Sequence, residues 1–285
     1  MKSFSSCAKW ILSGEHSVVR GGKAIAFPLR RYKNSIFLEE AKGFSIKYDA
    51  ENLKEIIISL VELASAFTKI PLDAIRSEIT VVNSIPTKMG LGSSAAICVN
   101  IAAMFKYYGY DGELFDLARY LENKFHQSSS GLDVSVSIMD EPLIFQNNKV
   151  VDILRPAFWP YLALSYSGEK SITSHCVKSV QEIFLENESW ALELDNLMNL
   201  SADLCESALK SADFEKLKDG INLGCEVFRN WGLCHEPLEY HINMILSAGA
   251  VAAKPVGSGL GGYVISLWRE KPKSDICLTL EEPWG

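Results

Sequence analysis

The sequence predicts a mixed α and β chain built as two closely packed domains. Short apolar runs broken by glycines fill the first 40 residues and read as strands and turns. An amphipathic helix is expected at 113–126, because Leu114, Leu117, Ala118, Leu121 and Phe125 recur at helical spacing. The 285 residues, 48% of them apolar, can bury one large core or two modest ones.

Taken in order, Trp10 to Leu12, Val18-Val19, Ala24 to Leu29 and Ile36 to Leu38 are the early strand-like runs. Residues 53–68 read as helix. Ile79 to Val82 is a β-branched run that ends at Ser84-Ile85-Pro86, and a glycine-rich turn then leads into an apolar segment from Ala95 to Tyr108. That is strand, loop, helix. A strand at Tyr161 to Tyr166 follows the Pro156/Pro160 region, so the domains are taken as 1–157 and 158–285. Residues 174–218 read mostly as helix, with a further helix around 237–248, a glycine loop at 257–262 and a strand from Tyr263 to Trp268.

Composition excludes several classes of function. A net charge of −7 without a run of like charges gives no reason to expect a nucleic-acid or anionic-membrane surface. The longest apolar stretch, Ala95 to Phe105, is interrupted by Asn100 and falls short of the roughly 20 residues of a membrane span. The N-terminus lacks the apolar core of a signal peptide. A soluble, cytoplasmic protein is expected. Its seven cysteines form no CxxC pair and read as reduced thiols.

The segment Pro86-Thr87-Lys88-Met89-Gly90-Leu91-Gly92-Ser93-Ser94-Ala95-Ala96 carries the most chemistry. Gly90 and Gly92 permit positive φ and close ligand approach. Ser93 and Ser94 stand where a helix begins, and unpaired N–H groups there favour phosphate. A plain serine N-cap after a glycine turn would look similar. The chain contains no GxxxxGK[ST] sequence, so a P-loop is not how it holds nucleotide.

Gly90 to Ala96 resembles the central phosphate motif of the galactokinase, homoserine kinase, mevalonate kinase and phosphomevalonate kinase (GHMP kinase) superfamily. The first motif of that superfamily is similar to Ala8 to Val19, and the third to Lys254 to Tyr263. A fourth element is Ser130-Gly131-Leu132-Asp133. Gly14-Glu15-His16 followed by Ser17-Val18-Val19, and Glu122 placed four residues before His126 and eleven before Asp133, resemble mevalonate kinases most. The chain departs from the family pattern at Gln127-Ser128-Ser129-Ser130, at Val256 and at Leu260.

The resemblance implies a two-domain α+β fold, with an N-terminal domain like domain 2 of ribosomal protein S5 and a ferredoxin-like C-terminal domain. It implies ATP and Mg²⁺, a small-molecule acceptor and no nucleic-acid or membrane partner, and it leaves a homodimer open. ATP would be bound by Gly90, Leu91, Gly92, Ser93, Ser94, Ala95, Gly257, Ser258 and Gly259. Asp133 and Lys9 would be catalytic, Ser94 and Glu122 would ligate the metal, and Glu15, His16 and Thr173 would bind the acceptor.

Mevalonate is the first expected acceptor. Phosphomevalonate or a sugar is the alternative, as is a non-catalytic nucleotide-binding regulator on the same fold. Gly257-Ser258-Gly259-Leu260-Gly261-Gly262 also satisfies GxGxxG, but a strand pattern follows it at once, so a dinucleotide-binding unit is not expected. His235 and His241 lack HExxH spacing.

Overall fold

A computed structural model describes residues 1–48, 54–125, 129–272 and 283–284. The chain divides into two compact units, each assembled from separate segments: Met1–Lys9, Arg30–Pro86 and Gly92–Asp140, then Trp10–Leu29, Thr87–Leu91 and Glu141–Gly285. The expected boundary at 157/158 falls within the second unit. Mixed α and β structure with two sheets is present as expected.

Two long strands, β1 (Lys2–Ser13) and β2 (Ala24–Glu40), contribute residues to both units. In the first unit β2 pairs antiparallel with β4 (Ser77–Asn83), from Asn34↔Asn83 to Glu40↔Ser77. The edge strand β3 (Ser45–Tyr48) runs parallel to β4. Parallel neighbours need a crossover, and α1 (Lys54–Thr68) lies between them in sequence. Ile36, Leu38, Ile79 and Val81 are buried from the sheet, where side chains alternate between faces, and Ile57, Leu60, Val61 and Ala64 are buried from α1.

α2 (Ser93–Tyr107) buries nearly every side chain after its first turn, as a helix enclosed by neighbours does. α3 (Leu114–Glu122) buries Leu117, Ala118, Leu121 and Glu122, and α4 (Leu132–Met139) completes the unit. The expected helix at 113–126 is therefore present but shorter; His126, Gln127 and Ser128 lie outside the described residues.

In the second unit, residues 24–26 of β2 pair with β5 (Leu143–Gln146), which pairs with β6 (Lys149–Ile153). A separate antiparallel sheet has the order β7 (Tyr161–Tyr166), β9 (Tyr263–Trp268), β8 (Ala252–Pro255). Four helices accompany these strands: α5 (Thr173–Glu186), α6 (Glu188–Ser211), α7 (Phe214–Asn230) and α8 (Glu236–Ser247).

The Val18-Val19 run is a correction. Ser17–Arg20 is a 3₁₀ turn closed by Gly21 at φ 90°, because a two-residue apolar run between glycines is too short to propagate a strand. No helix among the described residues is long and apolar enough to cross a membrane.

Asn100 ties the middle of α2 to the sheet. Its Nδ2 donates to the backbone oxygen and to Oδ1 of Asn34, both at 2.8 Å, and its Oδ1 accepts from Ser6 Oγ at 2.9 Å. All three side chains are almost fully buried. Asn100→Ala should lower the unfolding free energy by about 2–3 kcal/mol, since it strands Asn34 and Ser6 in a dry interior. Denaturant titration checks this, and a loss below about 0.5 kcal/mol would show that the network contributes nothing net.

Candidate active site

The first unit gathers one set of candidate residues. Lys9 lies in the buried half of β1, only 3% exposed, and its Nζ sits 3.0 Å from Asp133 Oδ2. Burying an ammonium is costly unless a counter-charge meets it, and Asp133 supplies that charge from the first turn of α4. Gly131, at φ 88°, is the N-cap of this helix.

The path of Lys9 explains the second glycine of the phosphate motif. A Cβ at position 92 would come within 2.8 Å of Lys9 Cγ and 3.0 Å of its Cε. Gly92 also adopts φ 74° as the N-cap of α2. Neither Ser93 nor Ser94 is the capping residue; both stand in the first helical turn, and the cap has no side chain to cover the leading N–H groups.

Glu122 ends α3 with 2% exposure. Burial first, then the charge of Asp133, pushes its carboxyl up to about 7, against the opposing effects of Ser129, Lys9 and Arg119. Ser129 Oγ donates a very short hydrogen bond to Glu122 Oε2. The charge of Glu122 also raises the Cys98 thiol, after burial itself. Cys98 is one helical turn beyond Ser94 in α2, on the same face. Lys9, Asp133, Glu122 and the start of α2 thus converge within the first unit. Glu122 is not the solvated face residue that glutamate on a helix usually is.

The second unit gathers the other set. Glu15 Oε1 accepts from Lys254 Nζ at 2.6 Å, with 1% and 0% of the two side chains exposed. The ammonium also donates to Pro255 O at 2.7 Å and lies 5.2 Å from the Phe228 ring centre. Glu15, expected to touch the acceptor, is thus held by a lysine to which the sequence alone assigned no role.

His16 has φ 59°, and its Nε2 is 2.9 Å from the carbonyl oxygen of Ser258. A carbonyl only accepts, so Nε2 carries the proton and Nδ1 keeps its lone pair in the neutral ring. Burial among the rings of Phe228 and Trp231 lowers its pKa to about 4. The Ser258 bond and Asp195 act in the opposite direction, while Arg20 and Lys254 reinforce the shift.

Ser258 Oγ also lies 2.8 Å from Ser171 Oγ and 3.3 Å from Thr173 Oγ1. Thr173 is the first residue of α5, and Ile172, not Thr173, is its N-cap. The two glycine loops interlock here through bare backbone. A Cβ at Gly90 would meet Val256 O at 2.7 Å, and one at Gly257 would meet Gly90 Cα at 2.9 Å. Leu260, a departure from the family pattern, accepts φ 52° and donates its N–H to Leu233 O. The strand β9 follows the loop directly, as the argument against a dinucleotide-binding unit required. His235 caps α8 and His241 bonds Ser165, and no group of three or more His, Cys, Asp or Glu side chains among the described residues is disposed to hold a metal ion.

The residues are consistent with Mg²⁺ as a partly protein-held ion. A buried carboxylate whose ionisation is disfavoured, beside the hydroxyl oxygen of Ser129, offers hard oxygen donors that gain from a divalent cation. Mg²⁺ typically takes one or two carboxylates and completes its shell with phosphate oxygens and water.

Comparison with known proteins bears on the same residues. Residues 55–141 match the GHMP kinases N terminal domain. The mevalonate kinase of Thermococcus sibiricus is 27% identical, over 99% of this chain and 93% of its own length. Among solved structures, the L. major mevalonate kinase in complex with R-mevalonate aligns with a TM-score of 0.78 at 19% identity, over 95% of this chain and 88% of that one. A phosphomevalonate kinase of Streptococcus pneumoniae in complex with phosphomevalonate and AMPPNP gives 0.76 at 14% identity, over 95% and 93%. Likeness of fold alone therefore does not choose between the two acceptors.

The low pKa of His16 has a consequence for stability. The ring is neutral in the folded chain down to about pH 4, whereas the unfolded chain protonates near 6.5. Stability from His16 is therefore complete above pH 6.5 and is lost as pH falls through about 4. Across that window His16→Gln should flatten the pH dependence of the unfolding free energy by about 3 kcal/mol relative to the unaltered chain. Parallel pH profiles for the two proteins would show that His16 is not held neutral.

Proposed function

We propose that this chain, a GHMP kinase by fold and by its N-terminal domain, is an ATP-dependent mevalonate kinase that transfers the γ-phosphoryl group to the mevalonate hydroxyl. The observation that carries the chemistry is the Lys9–Asp133 pair beside the glycine-capped start of α2. The relatives' shared name, over nearly the whole chain, favours the acceptor.

Phosphoryl transfer depends mainly on positioning and on neutralising charge, so several modest contributions replace one nucleophile. Gly90 to Ala95, with Gly257, Ser258 and Gly259, offer backbone N–H groups and a helix N-terminus to the phosphates of ATP. Ser94 and Glu122 would hold Mg²⁺, which when bound neutralises charge on the phosphate oxygens. Asp133 orients the acceptor hydroxyl and takes its proton. Lys9 pairs with Asp133 and offers positive charge to the transferring group. Glu15, His16 and Thr173 bind the acceptor. His16, as the neutral Nε2–H tautomer, presents an acceptor lone pair and suits a hydroxyl better than a carboxylate. The division into an N-terminal domain at 1–157 and a C-terminal domain at 158–285 belongs to the same reading.

Retention of Lys9, Glu122 and Asp133 favours an enzyme over a regulator that only binds nucleotide. ADP release should be Mg²⁺-dependent and faster with mevalonate than with phosphomevalonate, galactose or homoserine. Equal or greater turnover of one of those three would overturn the acceptor while leaving the kinase standing.

Two substitutions separate the roles. Glu122→Ala should raise the Mg²⁺ requirement and lower turnover, because a hard cation loses an anionic ligand. An unaltered metal dependence would exclude ligation. Asp133→Asn keeps size and turn-forming capacity but can neither take the proton nor neutralise Lys9, and should cost about 10²–10⁴ in turnover. ATP affinity should persist in that variant; activity within a few-fold of the unaltered chain would sink the base assignment.

A further inference from the structure

Every polar atom of Ser129 is committed within the first unit. Its N–H donates to Asn123 Oδ1 at 2.9 Å, and its carbonyl oxygen accepts from Arg119 Nε at 3.0 Å. Arg119 lies on α3 and Asn123 is the C-cap of that helix. The Ser129 Oγ accepts the Gly131 N–H at 3.1 Å and donates to Glu122 Oε2. The residue is 8% exposed, so water competes little for these contacts.

The backbone contacts seat the entry to α4 on α3 without help from the Ser129 side chain. Packing at the turn does the same: a Cβ at Gly131 would lie 2.7 Å from Phe115 Cζ and 3.5 Å from Arg119 Cδ. The hydroxyl is thus left with a narrower task. It has one proton, and its oxygen already takes the Gly131 N–H, so the proton is directed at Glu122.

Glu122 is made unsymmetrical by this bond. Oε2 holds the Ser129 proton, whereas Oε1 accepts no hydrogen bond from a described residue. A carboxylate held in this way meets a cation with one oxygen. Mg²⁺ suits such a ligand, because it demands a near-ideal octahedron and completes its shell with phosphate oxygens and water. Ca²⁺ is larger, takes more oxygens in a looser shell, and gains from a carboxylate that offers both of its own.

We infer that Ser129 is a positioning residue for metal choice: its hydroxyl occupies Glu122 Oε2, makes Glu122 a one-oxygen ligand, and so favours Mg²⁺ over Ca²⁺. The inference rests on the functional reading for Glu122 as a metal ligand, and on the structure for the difference between its two oxygens.

The experiment is metal competition on the full chain saturated with a non-hydrolysable ATP analogue, read by the electron paramagnetic resonance of free Mn²⁺. Mg²⁺ and Ca²⁺ each displace Mn²⁺ from the unaltered protein and from Ser129→Ala, Ser129→Thr and Glu122→Ala. The affinity of the analogue itself for the ions is common to all four and cancels in the comparison. In Ser129→Ala the ratio of Ca²⁺ to Mg²⁺ affinity should rise about tenfold, as Oε2 is released from one hydrogen bond to the metal. Ser129→Thr, which keeps the hydroxyl, should hold the ratio within about twofold of the unaltered protein.

The Asn123 and Arg119 contacts to the backbone survive in Ser129→Ala, and circular dichroism checks its fold. Should it fail to fold, Ser129→Cys, whose thiol is a weaker donor, serves the same comparison and should raise the ratio in the same direction. An unchanged ratio, with Glu122→Ala weakening both ions, would overturn the inference and leave Glu122 as a ligand. Parallel loss of Mg²⁺ and Ca²⁺ in Ser129→Ala would make Ser129 itself a ligand and also overturn it. Unaltered metal affinity in Glu122→Ala would overturn the ligand reading, and the inference with it.

Discussion

A lysine inside a strand sets the terms for the first unit. Lys9 occupies a position in β1 where its neighbours on both sides are buried, and only a carboxylate within hydrogen-bond reach makes such an ammonium tolerable. Asp133 must therefore arrive at that point, which requires α4 to begin there, with Gly131 in a left-handed turn ahead of it. The lysine stem must also pass the start of α2, which excludes any side chain at position 92. One buried charge thus fixes the origin of two helices. It also explains why a glycine N-cap is used where serine would otherwise be favoured. Burial, and then the charge of Asp133, drives the nearby carboxyl of Glu122 toward its neutral form.

The second unit solves the same problem with different partners. Lys254 has no exposed surface, and Glu15 meets it from the turn after β1. Gly14, at φ 103°, allows that turn, since a Cβ would fall within 2.1 Å of Lys23 O. Because Lys254 lies on β8, immediately before the third glycine loop, its pairing with Glu15 brings the loop to His16, whose imidazole then takes the Ser258 carbonyl. The ion pair and the imidazole contact act in series along one stretch of chain. Removing either partner of the ion pair would leave an uncompensated charge in the interior, whereas loss of the imidazole contact frees only one carbonyl.

How much of this was legible in the sequence follows from the range of each interaction. Glycines that need positive φ or bare backbone announce themselves, so Gly90, Gly92, Gly257 and Gly259 could be read directly. Periodic helices and the strand after the third loop were equally legible. Partners distant in the chain were not: Lys254 and Glu15 are separated by 239 residues, and nothing local in either segment points to the other. Ser129 against Glu122 and Ser171 against Ser258 were missed for the same reason, since a lone serine carries no pattern. The Val18-Val19 run was misread because β-branched residues favour strands only where the chain has room to extend, and glycines at 14, 21 and 22 leave none.

The proposed roles, taken unit by unit, bear on acceptor choice. In the proposed function, Lys9, Asp133, Glu122 and the start of α2 would handle phosphate, metal and proton, tasks common to any alcohol kinase. Nothing in that set distinguishes a free hydroxy acid from its phosphorylated product. Under that proposal discrimination would come from the residues assigned to the rest of the acceptor, which belong to the second unit, where the neutral imidazole of His16 and the hydroxyls of Ser171, Thr173 and Ser258 carry no net charge. A phosphorylated acceptor brings added negative charge that such groups do not neutralise, and Lys254 is already committed to Glu15. On the proposed placement of the acceptor beside His16 and Thr173, this balance of charge favours the unphosphorylated acceptor.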